Sequence, residues 1–173
     1  MCKGKTKDKD LASARAYALK MLSYRDRSAC ELTDKVISKG YEPLIAKEVV
    51  SRLKDENYLD DEAYAVELAG FRNRNKLWGT VKIAAELRSK GITREVISKI
   101  TSSLGSELEE NAAKKALQKW LKKSGLSKPI EQKNQKGRDN IQRAMRHLKT
   151  KGFPLAVIRK VIDEFNDHEY TPL

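Results

Sequence analysis

Residues able to hold a metal ion or a disulfide framework are scarce in this chain of 173 residues, which has two cysteines and two histidines. Cys2 and Cys30 fit no metal-ligand spacing, and neither His147 nor His168 has a cysteine or carboxylate at such a spacing. No metal site is expected, and both cysteines read as free thiols in a reducing compartment. There is also no long apolar run, no N-terminal hydrophobic segment and no lipidation signature, so the reading is a soluble cytoplasmic protein with no membrane partner. A phosphate-binding loop is missing as well. Gly4-Lys5-Thr6 imitates the end of one, but the glycine required five residues earlier falls outside the chain, and no strand leads into it. Asp60-Asp61-Glu62 could be imagined as an acid-base or cation cluster, yet the start of a helix accounts for three carboxylates in a row. Nothing left calls for catalysis or a cofactor, and the chain is read as a non-enzyme.

What the chain has in abundance is charge. Charged residues make up 35% and hydrophobic residues 39%, so apolar side chains must form one stripe on each element instead of filling a thick interior, which favours thin helical packing. Lys and Arg number 36 against 24 Asp and Glu, a net charge of +12 that calls for a polyanionic partner. The excess is uneven. Between residues 114 and 151 stand 13 Lys or Arg against only Glu131 and Asp139. An earlier stretch, Arg72, Arg74, Lys76, Lys82, Arg88 and Lys90, is broken only by Glu86. Any one of these cations can be a solvated helix face, but clustering raises phosphate contact to an equal alternative. In the later patch Lys115, Lys119 and Lys122 share one helical face, and Arg143, Arg146 and Lys149 group on the next helix. Lys3, Lys5, Lys7 and Lys9 suggest a basic arm of weak attraction. Trp78 and Trp120 could stack on bases, although helix packing is the more frequent use of such rings.

One pattern is written three times. Lys39-Gly40-Tyr41, Lys90-Gly91-Ile92 and Lys151-Gly152-Phe153 align with apolar residues at matching offsets on both sides. Val36, Leu87 and Leu148 stand before the glycines; Ile45, Val96 and Val157, then Val49, Ile100 and Val161, then Leu53, Leu104 and Phe165 stand after them. A glycine just past a helix takes the left-handed conformation that closes the last turn, and the residue after it packs back on the residue four before the glycine. Tyr41 with Val36, Ile92 with Leu87 and Phe153 with Leu148 supply those apolar pairs. The next helix starts at once, helped by Pro43 in the first copy and capped by Thr93 in the second. Each copy also has a helix upstream. The first runs from about Leu11 to Tyr24 with Leu11, Ala14, Ala18 and Leu22 as its stripe. The second starts at Asp60-Asp61-Glu62 and carries Ala63, Tyr64, Val66, Leu68 and Phe71. The third carries Ala113, Leu117, Trp120 and Leu121.

The expected fold is therefore all-α, with three tandem three-helix repeats of helix-turn-helix character in an elongated molecule. The expected divisions are a basic tail over 1–10, repeats over 11–57, 58–105 and 106–166, and a tail over 167–173, with a surface loop over 124–137 inside the third repeat.

Particular residues carry a resemblance to the RecX family. Leu59-Asp60-Asp61-Glu62-Ala63-Tyr64-Ala65, then Phe71-Arg72-Asn73-Arg74, then Gly79 through Ile92 are similar in order and spacing to that family's middle repeat. Ala18 through Arg25 and Ser28 through Tyr41 resemble its first repeat. The likeness is good over about 12–104 and looser over 105–165, where the helix-glycine-helix frame and the basic character persist. The resemblance implies a curved, nine-helix monomer that binds along the groove of the RecA filament on single-stranded DNA. It implies inhibition of RecA ATP hydrolysis, strand exchange and coprotease activity, and so modulation of recombinational repair and the SOS response. Double-stranded DNA is a further candidate partner. A direct DNA-binding helix-turn-helix regulator independent of RecA, or an adaptor for another acidic protein, are the alternatives.

Overall fold

The computed structural model describes residues 11–125 and 135–167. Among these residues there are nine helices and no strand: α1 (Leu11–Leu22), α2 (Ala29–Ser38), α3 (Pro43–Asp55), α4 (Asp61–Lys76), α5 (Thr80–Ser89), α6 (Arg94–Ser103), α7 (Ser106–Lys123), α8 (Gln135–Thr150) and α9 (Leu155–Asp167). The three glycine stops close α2, α5 and α8, with φ of 93° at Gly40, 75° at Gly91 and 84° at Gly152. In each, the residue after the glycine donates its N–H to the carbonyl five residues back: Tyr41 to Val36, Ile92 to Leu87 and Phe153 to Leu148. The glycine itself donates three residues back, which completes the Schellman pattern and satisfies two carbonyls that the helix end would orphan. Helix starts are equally legible. Ser28, Asp60 and Thr93 accept backbone N–H groups of the first turns of α2, α4 and α6, and Pro43 opens α3.

Three apolar cores follow from these stops. The first gathers Leu32, Val36, Val49 and Leu53 under Ala14 and Ala18. The second gathers Ile83, Leu87, Ile92, Ile97 and Ile100 under Ala65 and Ala69, and the third gathers Leu117, Leu148, Phe153, Ile158 and Val161 under Ala113 and Ala116. In every unit the upstream helix presents alanines, so the other two helices can approach it closely while their larger aliphatic side chains fill the space. Each fully buried Leu or Ile contributes roughly 1.5 to 3 kcal/mol. The alanine stripe also explains where the apolar reading of α4 departs from the structure. Ala65 and Ala69 lie four residues apart on the buried face, and Val66 and Phe71, off that line, are 55% and 45% exposed. Tyr24 lies beyond the end of α1 and is exposed as well. The expected loop over 124–137 is shorter at its end, because Gln135 through Gly137 already belong to α8; its middle, 126–134, lies outside the described residues, as do the basic arm and 168–173. Asp167, expected in the tail, is the last residue of α9.

The units join end to end by one polar joint used twice. In the first joint the Ser28 hydroxyl donates to the Lys90 carbonyl at 2.7 Å, and the Ala29 N–H donates to the Asp61 carboxylate at 2.8 Å. In the second, the Gly79 N–H donates to the Lys151 carbonyl at 3.0 Å, and the Thr80 N–H and hydroxyl donate to the Glu109 carboxylate at 2.7 and 2.8 Å. Ser28 and Gly79 occupy equal positions relative to their own glycine turns. The same register thus seats the Lys-Gly turn of one unit on the first turn of the preceding unit's middle helix, while an acid from the later unit's upstream helix caps that turn. Val81 adds a donation to the Gly152 carbonyl at 3.1 Å. Leu77 bolts the second joint. It holds a left-handed φ of 52° and buries its side chain in the third core, so core burial offsets backbone strain on the order of 1 to 2 kcal/mol.

Candidate nucleic-acid interface

The second joint brings the two basic patches together. Antiparallel α7 and α8 set Lys119 beside Lys151 and Lys123 beside His147, while α4 and α5 contribute Lys76 and Lys82 from the second unit. The Lys151 ammonium donates to the Lys76 carbonyl at 3.1 Å, and the Lys82 ammonium reaches toward the Thr150 carbonyl at 3.4 Å. Burial pushes the Lys151 pKa down, and the charges of Lys82, Lys119 and Lys76 push it further. His147 moves down for the same reasons, burial first and then Lys151 and Lys123. Lys151 and His147 thus both lie in a field of positive sign. Arg143 and His147 on α8 and Lys151 just past its end stand four residues apart and so continue the stripe along that helix.

Two tryptophans underlie the cluster. Trp78 packs against the second core with the Lys82 ammonium 4.3 Å and the Arg72 guanidinium 5.1 Å from its ring centroid. Trp120 packs against the third core and stacks on the His147 imidazole, with centroids 6.0 Å apart and planes tilted by 25°. Core packing therefore accounts for one side of each ring, with two cations near Trp78 and an imidazole on Trp120 covering part of what remains.

Two acids of the third unit, Glu110 and Glu164, are held between α7 and α9. Lys114 pairs with Glu164 and Lys160 with Glu110, each at 2.7 Å, so carboxylates are spent on the α9 side while Lys115, Lys119, Lys122 and Lys123 stay exposed. Of the residues singled out from sequence, Lys76, Lys82 and Lys119 meet at the joint. Arg143, Arg146 and Lys149 are exposed on α8, and Arg74 and Arg88 are exposed on the second unit. Two serve other partners. Arg72 grips Glu86 through two nitrogens, its Nε at 2.7 Å, and braces α4 against α5; Lys90 reaches Glu31 across the first joint at 2.7 Å. Lys123, His147 and Lys151 were not singled out. The four-residue spacing of Arg143, His147 and Lys151 was the available signal, but Lys151 had been absorbed into the glycine-turn signature.

Comparison with known proteins is decisive at this point. The model of the RecX first three-helix domain matches residues 14–53, and that of the RecX second three-helix domain matches residues 60–99. The chain belongs to the RecX family. Its fold is similar to a crystal structure of RecX from Lactobacillus salivarius, with a TM-score of 0.76 and 21% identity over 90% of this chain and 96% of that one. It is also similar to a crystal structure of a regulatory protein RecX, with a TM-score of 0.77 and 24% identity over 94% of this chain and 82% of that one. At such identities the likeness concerns the fold. A comparison with curated proteins finds no match. Membership in the RecX family makes the chain a regulator of RecA in general terms. Among the described residues, no helix is long and apolar enough to cross a membrane, and no three His, Cys, Asp or Glu side chains gather as metal ligands.

Proposed function

We propose that this RecX-family chain binds the RecA filament on single-stranded DNA as a monomer in the cytoplasm and restrains RecA's ATP hydrolysis, strand exchange and coprotease activity, without catalysis of its own. Recombinational repair and the SOS response are the processes it modulates. The observation that carries this reading is the run of cations across α4, α5, α7 and α8 in a chain whose first two units match the RecX models. A nucleoprotein filament is a repeating polyanion, and serial helical units can touch it at several places, so each later contact forms at high effective concentration. Lys76, Lys82, Lys119, Lys123 and Lys151 meet phosphates in this scheme. Arg74, Arg88, Lys115, Lys122, Arg143, Arg146 and Lys149 extend the contact on either side.

The test is RecA ATPase on single-stranded DNA, titrated with the purified chain alongside strand exchange and coprotease assays. A saturable fall in all three is expected, with no ATP hydrolysis by the chain alone. An undiminished RecA rate at saturating protein defeats the proposal. A sequence-specific footprint on duplex DNA without RecA transfers the reading to a direct DNA-binding regulator.

A further inference from the structure

The two joints between units have the same hydrogen-bond plan but different electrostatics. At the first, opposite charges face each other: Glu31 of the first unit receives Lys90, and Asp61 of the second receives Lys54 at 2.7 Å. Its cations are answered. At the second, the position equivalent to Glu31 is Lys82, and the lysine equivalent to Lys90 is Lys151. Attraction across the first joint is thereby replaced by like charge, with the Lys151 and Lys82 ammonium groups each reaching a backbone carbonyl of the other unit and the charges of Lys82, Lys119 on α7 and Lys76 at the end of α4 all acting on Lys151. The carboxylate of the joint, Glu109, is buried and accepts the Thr80 N–H and hydroxyl on one oxygen. Backbone donations and the seat of Gly152 on Lys82 hold the joint closed against this repulsion. Four ammonium groups around one seam, two from each unit, offer up to twelve N–H donors, some already directed at the Lys76 and Thr150 carbonyls. An anion with several oxygens fits that arrangement.

We propose that Lys76, Lys82, Lys119 and Lys151 form a phosphate-binding site on the seam between the second and third units, and that its occupant locks the two units in register. The site deepens the filament-binding reading, because the occupant can be a phosphate of a nucleic-acid backbone; a free polyphosphate presents the same chemistry. Binding to the closed joint and not to the open one slows opening by mass action. The joint then stiffens only where the anion is present, and the first joint, already neutralised, does not respond.

Hydrogen exchange of single amides tests this without RecA, so that its outcome is separate from that of the ATPase assay. The Thr80 and Val81 N–H groups donate across the second joint and the Ala29 N–H across the first, so each reports the opening of its own joint. The probes are inorganic tripolyphosphate and a short oligothymidylate, each compared with potassium chloride at equal ionic strength. At ten times its dissociation constant, either probe is expected to slow exchange at Thr80 and Val81 about tenfold and to leave Ala29 unchanged. A response to both identifies backbone phosphate as one source; a response to tripolyphosphate alone keeps the site and assigns it to free phosphates. The Lys119→Glu variant places a carboxylate beside Lys151. It is expected to protect Thr80 and Val81 without any anion and to weaken tripolyphosphate binding about tenfold. Lys119 is exposed on α7 and its replacement leaves the third core intact. Equal protection in chloride and in both phosphate probes overturns the proposal, as does a Lys119→Glu protein that responds to tripolyphosphate like the parent.

Discussion

A methyl group added at Gly91 separates the two demands placed on that glycine. The residue has φ of 75°, and the added carbon comes 2.5 Å from Cys30 Cβ and 2.9 Å from its Sγ, atoms at the base of a short side chain on α2 of the preceding unit. Gly125 provides the control, since it follows α7 as Gly91 follows α5, donates three residues back in the same way, has φ of 68°, and has nothing within 4 Å of the added carbon. Gly125→Ala should cost only left-handed strain, about 1 to 2 kcal/mol. Gly91→Ala carries that strain plus the displacement of Cys30, an overpacking penalty of about 1 to 3 kcal/mol, for a total near 3 kcal/mol. At roughly 2 to 4 °C per kcal/mol for a chain of this size, the melting temperature should fall by about 6 to 12 °C, against about 2 to 8 °C for Gly125→Ala. The Cys30→Gly background removes the opposing Cβ. In a double-mutant cycle by urea unfolding, Gly91→Ala should there cost no more than Gly125→Ala, giving a coupling of at least 1 kcal/mol. A coupling below about 0.5 kcal/mol, or equal costs at Gly91 and Gly125 in the parent chain, refutes the claim that the glycine turn is seated against the neighbouring unit.

The charges of the joints and helix starts give three further outcomes. Glu31 is pushed up by burial but held down to about 2 by hydrogen bonds from Arg25, Lys90 and Tyr64, so its stabilising contribution is present above its ordinary value of 4.5 and lost as pH falls from there toward 2. Glu31→Gln should flatten the stability profile in that window and reduce Ala29 amide protection; an unchanged acid profile removes Glu31 from the first joint. Reversing Lys119 and Arg143 together to Glu should weaken binding to single-stranded DNA and reduce the salt dependence by roughly 0.7 log units per lost contact per decade of salt, with helix content intact. Reversing Asp60 and Asp61 to Lys should instead lower stability, because Asp60 caps α4 and Asp61 caps α2 across the joint. DNA binding that ignores the first pair returns the basic excess to a solvated surface.

The helices and their ends follow from local sequence, because both depend on neighbours within a few residues. A glycine that takes a positive φ, with an apolar residue following it and another four before it, is enough to stop a helix, and Gly40, Gly91 and Gly152 do so in one geometry. Capping by Ser28, Asp60 and Thr93 is equally local. The overall charge was also present in composition. Only the tertiary structure decided which cations share a surface. Charge counted along the chain treats Arg72 and Lys90 as equal to Lys82, whereas packing places Glu86 against Arg72 and Glu31 against Lys90 and brings both Lys82 and Lys119 to Lys151. The buried face of α4 was decided in the same way, since Ala65 and Ala69 gain from close helix approach while the larger Val66 and Phe71 do not fit there. Coulomb forces and side-chain packing act through distances in space, and residues 76, 82, 119 and 151 come from four segments that meet only after α5 is seated on the turn at Gly152.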